Sequence, residues 1–163
     1  MSIKVPDLES LIDGCKHFTW HEVLWLSSWN RAATADELTS EILANLITLF
    51  QKMDKVREYF GKSIKVTICL RTMAYHKELY KRINADRKKK GLEPLKIPMG
   101  SAHLSGMGVD FIVKGLKCDD AKAMIIKDKK LEEWGMRMED ISGEWIHLDT
   151  KPVGASGKRY FKP

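Results

Sequence analysis

An α+β fold, with a small and largely antiparallel sheet flanked by helices, is the architecture that this sequence predicts. Apolar residues recur at helical spacing from Leu38 to Phe60, enough for one long helix with a buried face. Short runs such as "IKVTICL" and "WIHLD" instead alternate with the period of a strand. The order along the chain is helix, strand, helix, two strands around a glycine-bearing turn, helix, strand. That mixture lacks the regular βαβ alternation of a parallel sheet.

Each element has a local cause. "TADE", Thr34 to Glu37, has the form of a capping box and predicts the start of the long helix. Leu38, Ile42, Leu46, Leu49, Met53, Val56 and Phe60 form its apolar stripe, and Gly61 supplies a stop. In "SIKVTICLRT", Ile64, Val66, Ile68 and Leu70 are expected on one strand face, with Lys65, Thr67, Cys69 and Arg71 on the other. A helix over Met73 to Ala85 leads into a basic loop, "DRKKKGLEPLK", residues 86–96. "VDFIV" predicts a strand with Val109, Phe111 and Val113 opposite Asp110 and Ile112. "DDAKAMIIKDKKLEEWG" predicts one helix opened by Asp119 or Asp120 and closed by Gly135. In "EWIHLDT", Trp145, His147 and Asp149 share a face, and the turn-rich tail after it is expected to be irregular.

The length, 163 residues without internal repeats, favours one domain with a substantial core, spanning 1–163 and carrying no separate binding module. No apolar run reaches the ~20 residues needed to cross a bilayer, so no stable membrane insertion is expected. The first residues lack the basic flank and apolar block of a secretory signal. Cys15, Cys69 and Cys118 are odd in number and widely spaced, which argues for reduced thiols rather than a disulfide framework or a CxxC zinc module. Net charge is +6, with a sequence pI near 9.2, and favours a polyanionic partner. Nothing in the basic stretch interleaves aromatic residues with the lysines, so no nucleic-acid partner is expected.

The chemistry gathers around "SAHLSGMGVD", residues 101–110. His103 and Asp110 are both good ligands for a divalent metal. Their spacing of seven would put them on opposite faces of one continuous strand, but a turn at "SGMG" lets both face one centre. A third ligand is available at His147, and Glu144 stands three residues before it. Two histidines, an aspartate and a free carboxylate match the needs of a catalytic zinc site, with a position left for water and a base to take its proton. Asp110 lies within an apolar strand, where a carboxylate needs a compensating partner. His17 and His21 stand at helical spacing, but Trp25 occupies the position where HExxH would have its second histidine. That pair, and His76, are read as structural or surface residues.

"SAHLSGMGVD" followed by "EWIH" resembles the SxHxxGxxxD and ExxH signatures of the zinc D-Ala-D-Ala carboxypeptidase family. That family includes vancomycin-resistance dipeptidases and carboxypeptidases and phage L-alanyl-D-glutamate endopeptidases, and shares its fold with the hedgehog signalling domain. "TICLRTMAYHKELY" is similar to the family's strand-plus-arginine segment, and "HFTWHEVL" to the opening segment of one branch. The resemblance implies a hedgehog/DD-peptidase-like fold and one zinc ion per chain, held by His103, Asp110 and His147. It implies Glu144 as general base and then acid, Arg71 as the group that polarises the scissile carbonyl or holds the oxyanion, and Ser101 as a substrate-binding residue. Arg71 read from its own strand is equally a salt-bridge partner, and "CLRT" departs from the family's usual residues before the arginine.

The function expected is that of a monomeric zinc metallopeptidase acting on peptidoglycan stem peptides, as a phage endolysin-type L-Ala-D-Glu endopeptidase. Without an export signal, such a product would collect in the host cytoplasm before reaching the wall; a bacterial counterpart would be cytoplasmic. A D-Ala-D-Ala carboxypeptidase or dipeptidase is the alternative within the same chemistry. A non-catalytic zinc module of a virion, or one that binds cell wall, is the alternative outside it.

Overall fold

The structure, a computed structural model, describes residues 3–163. "HFTWHEVL" forms a short helix, α1 (Trp20–Leu24), entered through Thr19, whose backbone N–H donates to Glu22 Oε2 at 2.9 Å. A two-stranded antiparallel ribbon follows, β1 (Trp25–Leu26) with β2 (Arg31–Ala32), turning at Asn30 in the left-handed region.

The Thr34 capping box exists, but it closes a 3₁₀ turn over Ala35–Glu37 rather than the long helix. Glu37 is held there by a bidentate pair with Arg31 at 2.7 and 2.9 Å, which ties the turn to β2. The chain then extends through Leu38, and the long helix, α2 (Ser40–Phe60), starts one turn later than predicted. Thr39 caps it by accepting the Ile42 N–H at 3.1 Å, and Gly61, with φ of 59°, ends it as expected. Leu46, Leu49, Phe50, Met53, Val56 and Phe60 are its buried stripe, whereas Ile42 is only partly covered.

The main sheet has five strands in the order β3-β4-β6-β5-β7: β3 (Ile64–Ile68), β4 (Gly108–Val113), β5 (Arg137–Glu139), β6 (Ile146–Asp149) and β7 (Tyr160–Phe161). All neighbours are antiparallel except β5 and β7, so the sheet is largely antiparallel as predicted. The predicted alternation of β3 fails beyond Val66. A bulge leaves Thr67 between the pairs Val66–Phe111 and Ile68–Asp110, so Ile68 turns outward while Cys69 and Leu70 are buried.

α3 (Met73–Lys89) runs four residues beyond the predicted end and takes up the first half of the basic stretch. Of the two strands expected around the glycine turn, only β4 forms; residues 102–106 are turns. The helix predicted from Asp119 to Gly135 is two helices, α4 (Cys118–Lys127) and α5 (Lys130–Trp134), broken at Lys129 with φ of 52°. Asp128 there accepts the Tyr59 hydroxyl at 2.7 Å, and the break lets α5 deliver Leu131 and Trp134 to the core. The tail predicted to be irregular supplies β7.

β4 and β6 divide the molecule. Val109, Phe111 and Val113, with Ile146 and Leu148, join the α2 stripe in one hydrophobic cluster. Burying such side chains stabilises the fold by roughly 1.5–3 kcal/mol each. The intervening residues of the two strands face the other way, and the functional groups stand among them.

Candidate metal centre

Strand register brings the ligand set together. Asp110 on β4 is paired directly across from His147 on β6, and Gly108 from Asp149. Side chains at directly opposed positions share a face, so Asp110 and His147 meet without any loop to position them. Asp110 Oδ1 lies 2.7 Å from His147 Nδ1 and 3.4 Å from His103 Nε2. His103 arrives on the 102–106 turn, which is pinned at several points. The Asn45 amide donates to the Ser105 carbonyl at 2.9 Å, the Met107 N–H to Ala102, and the Arg71 N–H to the His103 carbonyl.

Gly106 in the turn and Gly108 at the start of β4 are both needed. Gly106 has φ of 71°, a conformation strained for any side chain, and a Cβ there would lie 2.9 Å from the Ile42 carbonyl oxygen. At Gly108 a Cβ would lie 2.8 Å from the Ala102 Cβ and 3.1 Å from His147 Cε1. The first glycine permits the turn, and the second lets the turn lie against the ligand histidine.

His103, Asp110 and His147 are all buried, and one ligand atom from each lies within 4.8 Å of the others. The donor chemistry fits a divalent cation. His103 Nδ1–H donates to the Cys69 carbonyl at 2.7 Å, which leaves Nε2 as a lone pair facing the Asp110 carboxylate. His147 Nε2–H donates to Asp149 Oδ2 at 3.3 Å and so directs Nδ1 toward Asp110. Two lone pairs aimed at a carboxylate repel one another unless a cation or a proton lies between them. In the metal-free protein a proton fills that role. Burial opposes charge on His147, but hydrogen bonds to Asp110 and Asp149 outweigh it and push the imidazole up to about 9. Burial likewise opposes charge on Asp110, and the two histidines outweigh it, holding the carboxyl well below its usual range.

Asp149 is almost fully enclosed and receives a bidentate pair from Arg137, at 2.8 and 2.9 Å. Burial would raise its carboxyl, but His147 and Arg137 hold it low. The Arg137 guanidinium in turn lies 4.4 Å over the Phe161 ring. A chain of contacts therefore runs from β7 through β5 to a ligand on β6.

These groups open into a cavity of about 430 Å³, whose wall includes Arg71, Tyr80, Ser101, Glu139, Trp145 and Lys151. Arg71 comes within 3.9 Å of Asp110 Oδ2, and its buried Nε has no partner. Ser101 also lines the wall. Glu144 is exposed and does not line the cavity, although it precedes His147 at the predicted offset. The carboxylate that does line it, free of any arginine pair, is Glu139, with Oε1 3.9 Å from His147 Nε2. Sequence reasoning missed Glu139, Arg137 and the orienting role of Asp149. The alternation of "RME", with Met138 in the core between two polar residues, was the available signal.

The other histidines stand apart. His21 stacks on Trp25 with centroids 4.6 Å apart, and His17 lies outside α1, so the two make no clasp. His76 is fully buried and binds the Pro98 carbonyl through Nε2 at 3.1 Å, a structural tether between α3 and the loop before the cavity. All three cysteines are free. No family model, curated protein or solved structure matches the chain.

Proposed function

We propose that the protein is a zinc metallopeptidase that hydrolyses peptide bonds in peptidoglycan stem peptides, built on a hedgehog/DD-peptidase-like fold. The observation that carries this reading is the buried His103–Asp110–His147 set at the floor of an open cavity. Its order and spacing in the chain are those of the family that the sequence resembles. When bound, zinc supplies a Lewis acid that polarises an amide carbonyl and makes water a nucleophile at neutral pH. The Arg71 side chain, at the cavity wall and 3.9 Å from Asp110, gives the cavity a cationic donor for the negative charge that develops on that carbonyl oxygen. Ser101 offers a hydroxyl at the wall for substrate positioning. Asp149 and Arg137 hold the His147 ring in the tautomer and orientation that ligation needs.

A carboxylate must take and return the proton. The family resemblance points to Glu144, and the cavity wall offers Glu139. Loss of an acid–base group typically costs ~10²–10⁴-fold in rate, so Glu144→Gln and Glu139→Gln compared at equal zinc content identify the base. The exposure of Glu144 outside the cavity favours one second reading, a non-catalytic zinc module that binds wall peptides.

Between bonds, we propose L-Ala-D-Glu, which frees stems from glycan. Incubation with purified peptidoglycan and mass analysis of the products tests this. Free peptides that begin with L-Ala support the endopeptidase. Release of D-Ala without clearing of the suspension assigns a carboxypeptidase, and wall binding without products assigns the non-catalytic module.

A further inference from the structure

The basic stretch takes no part in the site chemistry, yet it is built with care. Residues 81–96 contain seven basic and two acidic residues, so they carry five of the chain's six net positive charges. The remainder is balanced to within one charge. After α3 ends at Lys89, the chain turns at Gly91, with φ of 68°, and folds back along the helix. The two arms are joined by polar bonds instead of apolar packing. Both ends of the Asn84 amide bind the Leu95 backbone, at 2.9 and 2.7 Å, and Arg87 Nε donates to the Glu93 carbonyl at 2.6 Å.

Polar fastening leaves the apolar side chains of the returning arm unused. Leu92, Leu95 and Met99 are 49%, 44% and 58% exposed. A shallow hollow on this hairpin is lined by Lys81 and Lys88 together with Leu92 and Pro94, so cations and apolar groups border the same surface. Every residue from Lys88 to Lys96 is exposed. A soluble polyanion would use the charges and leave the leucines in water. A bilayer with anionic headgroups accepts both, the lysines at the phosphate level and the apolar side chains at the acyl boundary.

We propose that the 81–99 hairpin docks the protein on an anionic lipid surface. His76 and Asn84 hold the hairpin to α3, and Tyr80 on the same helix lines the metal cavity, so docking places that cavity beside the membrane surface. The proposal does not rest on the peptidase reading, and its test involves no catalysis.

The test is co-sedimentation of the full chain with vesicles, both zinc-loaded and after chelation. Binding is expected to vesicles containing phosphatidylglycerol and not to pure phosphatidylcholine, with loss of affinity as salt rises. A Lys88→Glu, Lys89→Glu, Lys90→Glu variant should bind at least ~10-fold more weakly, since each basic residue near such a surface contributes several-fold. A Leu92→Ser, Leu95→Ser, Met99→Ser variant keeps every charge and should still lose roughly 5-fold or more. All six positions are exposed, and an unchanged thermal midpoint for each variant certifies the fold. Absence of binding to phosphatidylglycerol vesicles at low salt overturns the proposal. Undiminished binding by the serine variant also overturns it, because adsorption would then be a matter of charge alone.

Discussion

A methyl group at position 108 would sit 2.8 Å from the Ala102 Cβ and 3.1 Å from the His147 ring, closer than either neighbour tolerates. Gly108→Ala should therefore push His147 and the 102–106 turn apart. The expected outcome is a stability loss of about 1–3 kcal/mol, seen in denaturant melts, together with weaker zinc retention in chelator competition. Asp149→Asn should act differently, because it preserves volume while weakening the hold on His147 Nε2. Loss of such an orienting partner lowers metal affinity ~10–100-fold, and the same competition assay reads it. At this scale the sequence was informative where a residue's chemistry has few alternatives. His103, Asp110 and His147 were legible as a group because two histidines and an aspartate are a donor set that suits a divalent cation, and the structure does bring their ligand atoms within 4.8 Å of one another. Glu139 was not, because a glutamate on a three-residue strand looks like any solvated side chain. Only register shows which face it occupies.

At the scale of elements, the two threonines before α2 make a controlled comparison. Thr34 heads a capping box that closes a 3₁₀ turn, whereas Thr39 accepts a hydrogen bond from the first turn of α2. Thr39→Ala should cost about 0.5–2 kcal/mol, and Thr34→Ala should cost less in the same urea titration, since Arg31 still holds Glu37. The reading of Thr34 as the start of α2 went astray for a general reason. A capping box is a local signal, satisfied equally well by one turn as by six, and the Arg31 pair that stopped it is invisible to local pattern. The same applies to Lys129, where a left-handed residue inside a helical period splits α4 from α5. β5 and β7 escaped notice because three- and two-residue strands have too little alternation to stand out. The long α2 stripe and the "VDFIV" strand were legible because their periods persist and the residues they send into the hydrophobic cluster are apolar.

For the whole molecule, a metal at the His103–Asp110–His147 group would compete with the His147 proton, so stability should fall with pH without metal and hold level with it over the same interval. Without metal, the His147 imidazole is raised from an unfolded value of about 6.5 to about 9. Its contribution to stability is then fully present below the unfolded value and is lost as pH rises through the folded one. With zinc the histidine must give up that proton, so the stabilisation added by the metal grows over the same interval. Thermal melts from pH 6 to 9, with chelator and with zinc, should show the chelated midpoint falling while the gap between the curves widens. A gap that stays constant would mean that zinc does not displace the His147 proton. The fold class and the broadly antiparallel sheet were legible at this scale because they follow from element order. The closing of the sheet by β7 was not, since it depends on a pairing with β5 some twenty residues earlier.

The alternation of β4 and β6 also guards against misfolding. Val109 pairs with Leu148 and Asp110 with His147, so hydrophobic and ionisable rungs succeed each other along one ladder. If β6 slipped by a single residue, His147 and Asp149 would turn into the apolar cluster, and Ile146 and Leu148 would turn into the cavity. A slipped chain would lose the oily contacts of two side chains and also force ionisable groups into oil, a cost of several kcal/mol for each unpaired polar group. The ionisable groups of the candidate metal centre thus double as a proofreading device during folding, rejecting the wrong ladder through electrostatics as well as through shape.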